Sequence, residues 1–249
     1  MSTAQKQEKT AQTLSEEEIK QLNQKFETQP PQDLLQWALD RFHPQIILAC
    51  SFGLEDVTLI DILTKVHKTP RVFCLDTGRL HQETYDVMDQ IRSKYDIQIE
   101  VFFPNQEAVE KMVRAKGINL FYHSVESRHE CCGVRKVEPL NRALTGMKAW
   151  ITGLRKTQSV TRTNISKIEI DLPHGGIAKL NPLIDWTEQQ VWDYVKKNQV
   201  PYNKLHDQGF PSIGCAPCTR AIKPGEDIRA GRWWWENPEN KECGLHRVN

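Results

Sequence analysis

The chain has 249 residues, of which 39% are hydrophobic and 26% charged, and a formal net charge of +1. This balance predicts a folded protein of one large domain, and it gives no reason to expect a nucleic-acid or membrane partner. No apolar stretch approaches the roughly 20 residues that cross a bilayer, and the polar N-terminus lacks a secretory core, so a cytoplasmic location is expected.

The predicted elements alternate between helices and short apolar strands. Residues 1–14 are polar and predicted to be disordered, and Ser15 with Glu18 forms a capping-box pattern that predicts a helix start. Helices follow over 33–42, 57–67, 83–95, 106–116, 133–146 and 186–198, with buried strands over 45–50, 71–76, 97–103 and 149–153 and less regular β segments at 166–172 and 176–183. The alternation predicts an α/β domain over 15–210, with a mostly parallel sheet and helices on both faces. Residues 211–249 are predicted to form an irregular C-terminal extension.

The loop after the first predicted strand, residues 50–56, is a candidate anion site. Free N–H groups before a helix favour an anion, Ser51 adds a hydroxyl donor, and Gly53 lets a ligand approach the backbone. An ordinary turn capped by Ser51 is the alternative. Thr77 and Arg155 follow other predicted strands, so the same crevice should hold them. Arginine there suits phosphate or sulfate, although a single arginine is more often a surface residue.

The seven cysteines fall into three chemical situations. An odd number without a secretory signal argues against a disulfide scaffold. Two adjacent cysteines and a C-x-x-C pair together offer four thiolates, which would suit a zinc site, redox disulfides or an iron–sulfur cluster. Neighbouring thiolates would close an awkward ring on one zinc ion, whereas a cluster binds each on a different iron, so a [4Fe–4S] cluster is favoured. The proposed ligands are Cys131, Cys132, Cys215 and Cys218, and the proposed core cysteines are Cys50 and Cys74.

The remaining cysteine, Cys243, stands alone in a polar stretch near the C-terminus. Nearby Lys241 and His246 would favour its thiolate, which is the nucleophilic form. Upstream, Arg229 and Arg232 are candidates to hold an anion. Lys136, which follows the adjacent cysteine pair, would reach either the cluster or the substrate. A lysine on a helix surface is the alternative for that residue.

With these residues in place, the sequence resembles the assimilatory sulfonucleotide reductases, and within them the adenylyl-sulfate (APS) reductases. The resemblance runs from about residue 45 to the C-terminus. It rests on the motifs Cys131-Cys132, Cys215-x-x-Cys218 and Lys-Glu-Cys243-Gly-Leu-His246, with support from 75–79 and 135–140.

The resemblance implies an adenine nucleotide α-hydrolase-like fold of the PP-loop type. Where those relatives carry SGGxDS, this chain has Ser-Phe-Gly-Leu-Glu-Asp, which argues against ATP hydrolysis. It also implies that Cys243 attacks the sulfur of adenylyl sulfate, and that thioredoxin or glutaredoxin then releases sulfite. The substrate-binding residues would be Ser51, Gly53, Thr77, Lys136, Arg155, Arg229, Arg232 and His246. A homo-oligomer is expected.

Three other functions stay open at this point. A reductase of the 3′-phosphorylated substrate (PAPS), or of both nucleotides, is the nearest one, although that branch usually lacks both cysteine pairs. The nucleotide-binding subunit of a sulfate adenylyltransferase would have no use for Cys243. A zinc-stabilised binding module would use its cysteines only for structure.

Overall fold

The protein is described by a computed structural model over residues 13–158 and 165–237. The helices in these ranges are α1 (Glu16–Phe26), α2 (Pro31–Phe42), α3 (Leu54–Val66), α4 (Gln82–Tyr95), α5 (Gln106–Lys116), α6 (Val125–Cys132), α7 (Glu138–Leu144) and α8 (Glu188–Lys197). The strands are β1 (Ile46–Ala49), β2 (Val72–Leu75), β3 (Ile99–Phe102), β4 (Ala149–Ile151), β5 (Ile168–Asp171) and β6 (Ile177–Leu180).

The strands form one sheet in the order β3-β2-β1-β4-β6-β5. All neighbours are parallel except the edge strand β5, which pairs antiparallel with β6. From β1 the chain proceeds to β2 on one side, while β4 lies on the other. This reversal of strand order is a topological switch point, where open α/β sheets usually bind their ligands.

Helices cover both faces of the sheet, as predicted. On one face, alternate residues of β1 and β2 pack with α2, α3 and α8 in the larger apolar core. On the other face, Ile47, Phe73 and Trp150 pack against Leu140 and Leu144 of α7. Because successive strand residues point to opposite faces, strands covered on both sides must be apolar throughout, which explains why they read as continuous apolar runs.

The helix predicted over 133–146 begins earlier than expected. Helix α6 starts at Val125, capped by the Ser124 side chain, which accepts from Ser127 N. It continues through a π-helical turn at 133–137 into α7. Pro139, near the start of α7, has no N–H to donate and disfavours a regular turn before it, which fits the wider π turn. The adjacent cysteines therefore lie within a continuous helical stretch instead of at its start.

The N-terminal end of the described chain is packed onto the α/β domain. Thr13 N donates to Gly176 O and Leu14 is buried, so these two residues, predicted to be disordered, belong to the folded part. The predicted capping box of Ser15 and Glu18 is present.

The segments at 166–172 and 176–183, predicted to be less regular, contain the regular hairpin β5–β6. No helix in the described ranges is long and apolar enough to cross a membrane.

Candidate active site

A cavity of about 260 Å³ lies at the carboxyl ends of β1, β2 and β4. Its lining combines residues that follow these strands with residues 211–215, Ile228, Arg229, Arg232 and Trp233 of the C-terminal extension. We call it the strand-end cavity. Its lining includes seven of the residues predicted to bind substrate, namely Ser51, Gly53, Thr77, Lys136, Arg155, Arg229 and Arg232. The parallel sheet brings Ser51, Gly53, Thr77 and Arg155 together because its strand ends meet at one edge.

The loop after β1 is organised around Asp56. Its Oδ2 accepts hydrogen bonds from Ser51 N (2.6 Å) and Ser51 Oγ (2.7 Å), and Phe52 adopts a left-handed conformation with φ of 60°. Burial raises the pKa of Asp56 to about 6, although the bonds from Ser51 act in the opposite direction. The Ser51 donors predicted for a substrate anion are thus already held by an internal carboxylate. Sequence reasoning had not selected Asp56, whose only signal is its place in the loop.

Arg155, after β4, is committed to a second acidic residue of the same loop. Its Nε donates to Glu55 Oε1 at 2.6 Å, and its Nη1 donates to Thr157 Oγ1 at 2.7 Å. The side chains of Arg155 and Glu55 are only 3% and 14% exposed. Gly153 permits this close packing, because a Cβ there would overlap Asp56 Oδ1. The guanidinium of Arg155 is therefore held at the cavity wall in a fixed position, with its charge paired to Glu55.

The C-terminal extension closes the cavity with Arg232 and Trp233. Arg232 Nη1 contacts Ser212 Oγ (3.1 Å) and Ile213 O (3.2 Å), and its guanidinium lies 4.8 Å from the Trp233 ring centroid. A Cβ at Gly214 would come within 2.5 Å of Arg232 Nη2, so glycine makes room for the guanidinium. These contacts explain how a segment without periodicity holds a charged side chain over the strand ends.

The four cysteines proposed as ligands line a second, smaller cavity, which we call the cysteine cavity. Cys131 and Cys132 come from the end of α6, while Cys215 and Cys218 come from a short 3₁₀ turn of the extension. Cys131, Cys132, Cys215 and Cys218 are free thiols, as are Cys50 and Cys74. The cysteine cavity shares Lys136, Cys215, Arg232 and Trp233 with the strand-end cavity.

Positive charges surround these thiols. Arg79, Arg128, Arg135, Lys136 and Arg232 all line the cysteine cavity. Burial opposes ionisation of Cys215, but Lys136, the contact with Thr77 Oγ1 at 3.2 Å and the nearby arginines together lower its pKa. Burial and the neighbouring thiols raise the pKa of Cys218 to about 12. The neighbouring thiols therefore oppose one another's ionisation.

The four thiols form a donor set of the kind that a multi-iron cluster uses. Among residues 13–158 and 165–237, no three His, Cys, Asp or Glu side chains are placed to hold one metal ion. Four thiolates on one zinc at about 2.3 Å would lie about 3.8 Å apart, a tighter grouping than ligands that bind different irons. Arg135 supplies a further sign, since its buried Nε has no hydrogen-bond acceptor among the described residues. A cluster sulfide is an acceptor of the kind that this N–H lacks.

Two of the predicted site residues, Cys243 and His246, lie outside the described residues. The described part ends at Asn237, directly after a buried ion pair between Arg128 and Glu236. Neither that pair nor the pair of Glu55 with Arg155 had been predicted. Each joins residues at least 100 positions apart, and nothing in the sequence around them indicates the partner.

Comparison with known proteins agrees with this geometry. The phosphoadenosine phosphosulfate reductase domain matches residues 45–221. A relative from Allochromatium vinosum, named adenosine 5′-phosphosulfate reductase, is 52% identical over 202 residues, which cover 81% of this chain and 78% of the relative. The crystal structure of phosphoadenylyl-sulfate (PAPS) reductase from Candida auris in a phosphate complex is 31% identical, with a TM-score of 0.72, and covers 84% of this chain and 98% of that one.

The fold extends to more distant nucleotide enzymes. Yeast FAD synthetase, in complex with FAD, superposes with a TM-score of 0.55 at 14% identity, covering 84% of this chain and 69% of that one. This likeness concerns the fold alone, and it confirms the predicted α/β architecture with a mostly parallel sheet. From the matched domain and the closer relatives, we conclude that the chain belongs to the phosphoadenosine phosphosulfate reductase family.

Proposed function

We propose that this chain reduces adenylyl sulfate to sulfite and AMP during assimilatory sulfate reduction, which supplies sulfur for cysteine biosynthesis. The observation that carries the proposal is the strand-end cavity, where Thr77, Lys136, Arg155, Arg229 and Arg232 face one space at a topological switch point. Hydroxyl and cationic donors suit the phosphosulfate group, and the cavity adjoins the cysteine cavity. The name of the Allochromatium relative supports the same substrate.

The first step would be nucleophilic attack by the Cys243 thiolate on the sulfur of adenylyl sulfate. A bond forms between Cys243 Sγ and the substrate sulfur, while the bond from that sulfur to the AMP phosphate oxygen breaks. AMP leaves with the electron pair, and Cys243 carries an S-sulfonate. Negative charge accumulates during the attack, so Arg155, Arg232 and Lys136 would stabilise the transition state from the cavity walls.

The second step would be reduction by a protein dithiol, thioredoxin or glutaredoxin. One thiolate of the partner attacks Cys243 Sγ, and sulfite leaves with the electron pair of the broken S–S bond. The second partner thiol then attacks the mixed disulfide, which regenerates the Cys243 thiolate and leaves the partner oxidised. The two electrons that reduce the sulfonyl group therefore come from the partner. A nucleophile that serves both the cavity and a protein must move between them.

The residues of the cysteine cavity would hold a [4Fe–4S] cluster. Cys131, Cys132, Cys215 and Cys218 are its proposed ligands, and Lys136 and the surrounding arginines would balance its negative charge. A bound cluster would supply structural cohesion and an electrostatic influence on the shared wall. Lys136 and Arg232 line both cavities, so they would contact the cluster on one side and the substrate on the other.

A preference for PAPS, or activity on both nucleotides, is the second candidate. The solved Candida auris relative supports it, since its name specifies PAPS, at 31% identity. The higher identity of 52% belongs to a relative named for adenosine 5′-phosphosulfate. We therefore expect adenylyl sulfate, which lacks the 3′-phosphate, to be the preferred substrate.

The test is anaerobic incubation of the purified protein with adenylyl sulfate and no reductant, followed by intact-mass and peptide analysis. We expect an added SO₃ on the Cys243 peptide, which thioredoxin then releases as sulfite. The Cys243→Ser variant should give no adduct while retaining iron and nucleotide binding. Parallel reactions with PAPS decide the substrate, because faster adduct formation with PAPS would reverse the proposed preference. An adduct on a different cysteine would refute the assignment of the nucleophile.

A further inference from the structure

A buried ion pair fixes the point from which the C-terminal segment departs. Arg128 of α6 donates from Nε to Glu236 Oε1 at 3.0 Å and from Nη2 to Glu236 Oε2 at 2.7 Å. The two side chains are 0% and 3% exposed. Two parallel bonds of this kind fix both position and orientation of the carboxylate. Glu236 is the penultimate described residue, and Cys243 follows seven positions later.

Trp233 completes this arrangement. Its ring lies between two guanidinium groups, 4.6 Å from that of Arg128 and 4.8 Å from that of Arg232. Its backbone has a φ of 41°, in the left-handed region that bulky residues avoid, and it is almost fully buried. Its N–H donates to Cys218 O at 3.1 Å. A strained and buried conformation persists only when its surroundings determine it, and such positions cluster at functional sites.

The same residues lie beside both cavities. Arg128 and Trp233 line the cysteine cavity, and Trp233 also lines the strand-end cavity. Glu236 N donates to Trp233 O at 2.9 Å, so the carboxylate and the ring belong to one turn of chain. Seven residues span at most about 24 Å, which is the upper limit on the distance of Cys243 from Glu236.

We propose that Arg128, Trp233 and Glu236 form a tail anchor that positions Cys243 for attack, which makes Arg128 and Glu236 positioning residues for the reaction. This inference rests on the proposed function, because it takes Cys243 as the nucleophile. The anchor sets the length of the tether and the direction in which it leaves. Through Arg128 and Trp233 it also links the integrity of the cysteine cavity to the position of the nucleophile.

The size of the effect follows from the tether. Without the ion pair, the next packed side chain is Trp235, which contacts Phe121 and Tyr122, so the tether to Cys243 grows only from seven to eight residues. Effective concentration falls roughly as the −3/2 power of length, so dilution alone would slow attack only about 1.2-fold. Loss of the departure direction costs more, since misplacement by about 1 Å can reduce a rate as much as 100-fold. We expect a total loss of about tenfold or more.

The test measures the single-turnover rate of S-sulfonation at Cys243 in Glu236→Ala, with iron content and AMP affinity determined in the same preparations. We expect at least a tenfold slower rate, unchanged AMP affinity, and an intermediate rate for Glu236→Gln, which keeps one acceptor. The matched control is Glu226→Ala, which removes the bidentate but half-exposed pair of Glu226 with Arg220 in the same extension. Its rate should equal that of the wild type.

An iron-loaded Glu236→Ala protein that reacts within twofold of the wild-type rate overturns the anchor. If the Glu236→Ala protein contains less iron than the wild type, a second variant tests the proposal. It carries a four-residue Gly-Ser insertion after Asn237, which keeps the ion pair and lengthens the tether. That variant should react about twofold more slowly, and an unchanged rate overturns the proposal. A wild-type protein that forms no adduct at Cys243 would refute the proposed function itself, which keeps the two failures distinct.

Discussion

The carboxyl group of Asp56 should give the protein a pH-dependent stability that one substitution can isolate. Its side chain is buried at the end of β1 and accepts two hydrogen bonds from Ser51. Burial, aided by the charge of Glu55, raises its pKa from 3.8 to about 6. The folded protein therefore binds this proton more tightly than the unfolded chain does.

The sign and size of the effect follow from linkage. A raised pKa in the folded state adds stability that is fully present below pH 3.8 and is lost as the pH rises through about 6. At 1.36 kcal/mol for each unit of pKa, the whole loss is about 3 kcal/mol. Integration between the two pKa values places about 1.4 kcal/mol of that loss between pH 5 and pH 7.5.

The assay is anaerobic denaturant unfolding of the wild type and Asp56→Asn at pH 5 and pH 7.5. The free energy of unfolding of the variant, minus that of the wild type, should rise by about 1.4 kcal/mol between the two pH values. Carboxyl groups such as Asp61 and Glu226, whose pKa values are lowered by their partners, titrate in both proteins, so the subtraction removes them. A difference that is the same at both pH values would show that Asp56 does not titrate in this range.

Two further pairs of substitutions test the packing of the loop and the cysteine assignment. Gly153→Ala should cost about 1–3 kcal/mol of unfolding free energy, because the new Cβ overlaps Asp56 Oδ1, whereas Gly133→Ala, which meets no atom within 4 Å, should be neutral or stabilising. Denaturant midpoints measure both, and the reverse order would contradict the packing argument. Cys218→Ser should lose iron, sulfide and solubility together, since metal binding is coupled to folding, while Cys74→Ser should retain its iron. Equal iron content in the two variants would argue against the ligand set.

Much of this architecture could be predicted because it depends on local pattern and on rules of sheet geometry. Apolar runs such as 45–50 and 71–76 became β1 and β2, since strands covered on both faces are apolar throughout. Strand ends in a parallel sheet meet at one edge, which is why Ser51, Thr77 and Arg155 line one cavity despite their separation in sequence. Predicting this part of the site therefore required only that the hydroxyl and cationic residues after each strand be identified.

The interactions that refine the site were not predictable in the same way. Arg128 and Glu236 are 108 positions apart, and the extension that carries Glu236 has no periodicity from which to infer its path. The early start of α6 was missed because its residues are mostly polar and give no amphipathic stripe. Its cap, Ser124 bonded to Ser127 N, is the signal that could have revealed it.

The wall between the two cavities would couple a bound metal cluster to an anionic substrate. Lys136 and Arg232 line both cavities, so a negative charge bound in one cavity interacts with cations that also face the other cavity. Cation charge that balances four thiolates is less available to a substrate anion, and the reverse holds when the substrate binds. Of the three arginines confined to the cysteine cavity, Arg128 is held in a buried ion pair, and Arg79 and Arg135 can compensate on that side alone. Such an excess of positive charge around the thiols is what would keep Lys136 and Arg232 available to the substrate.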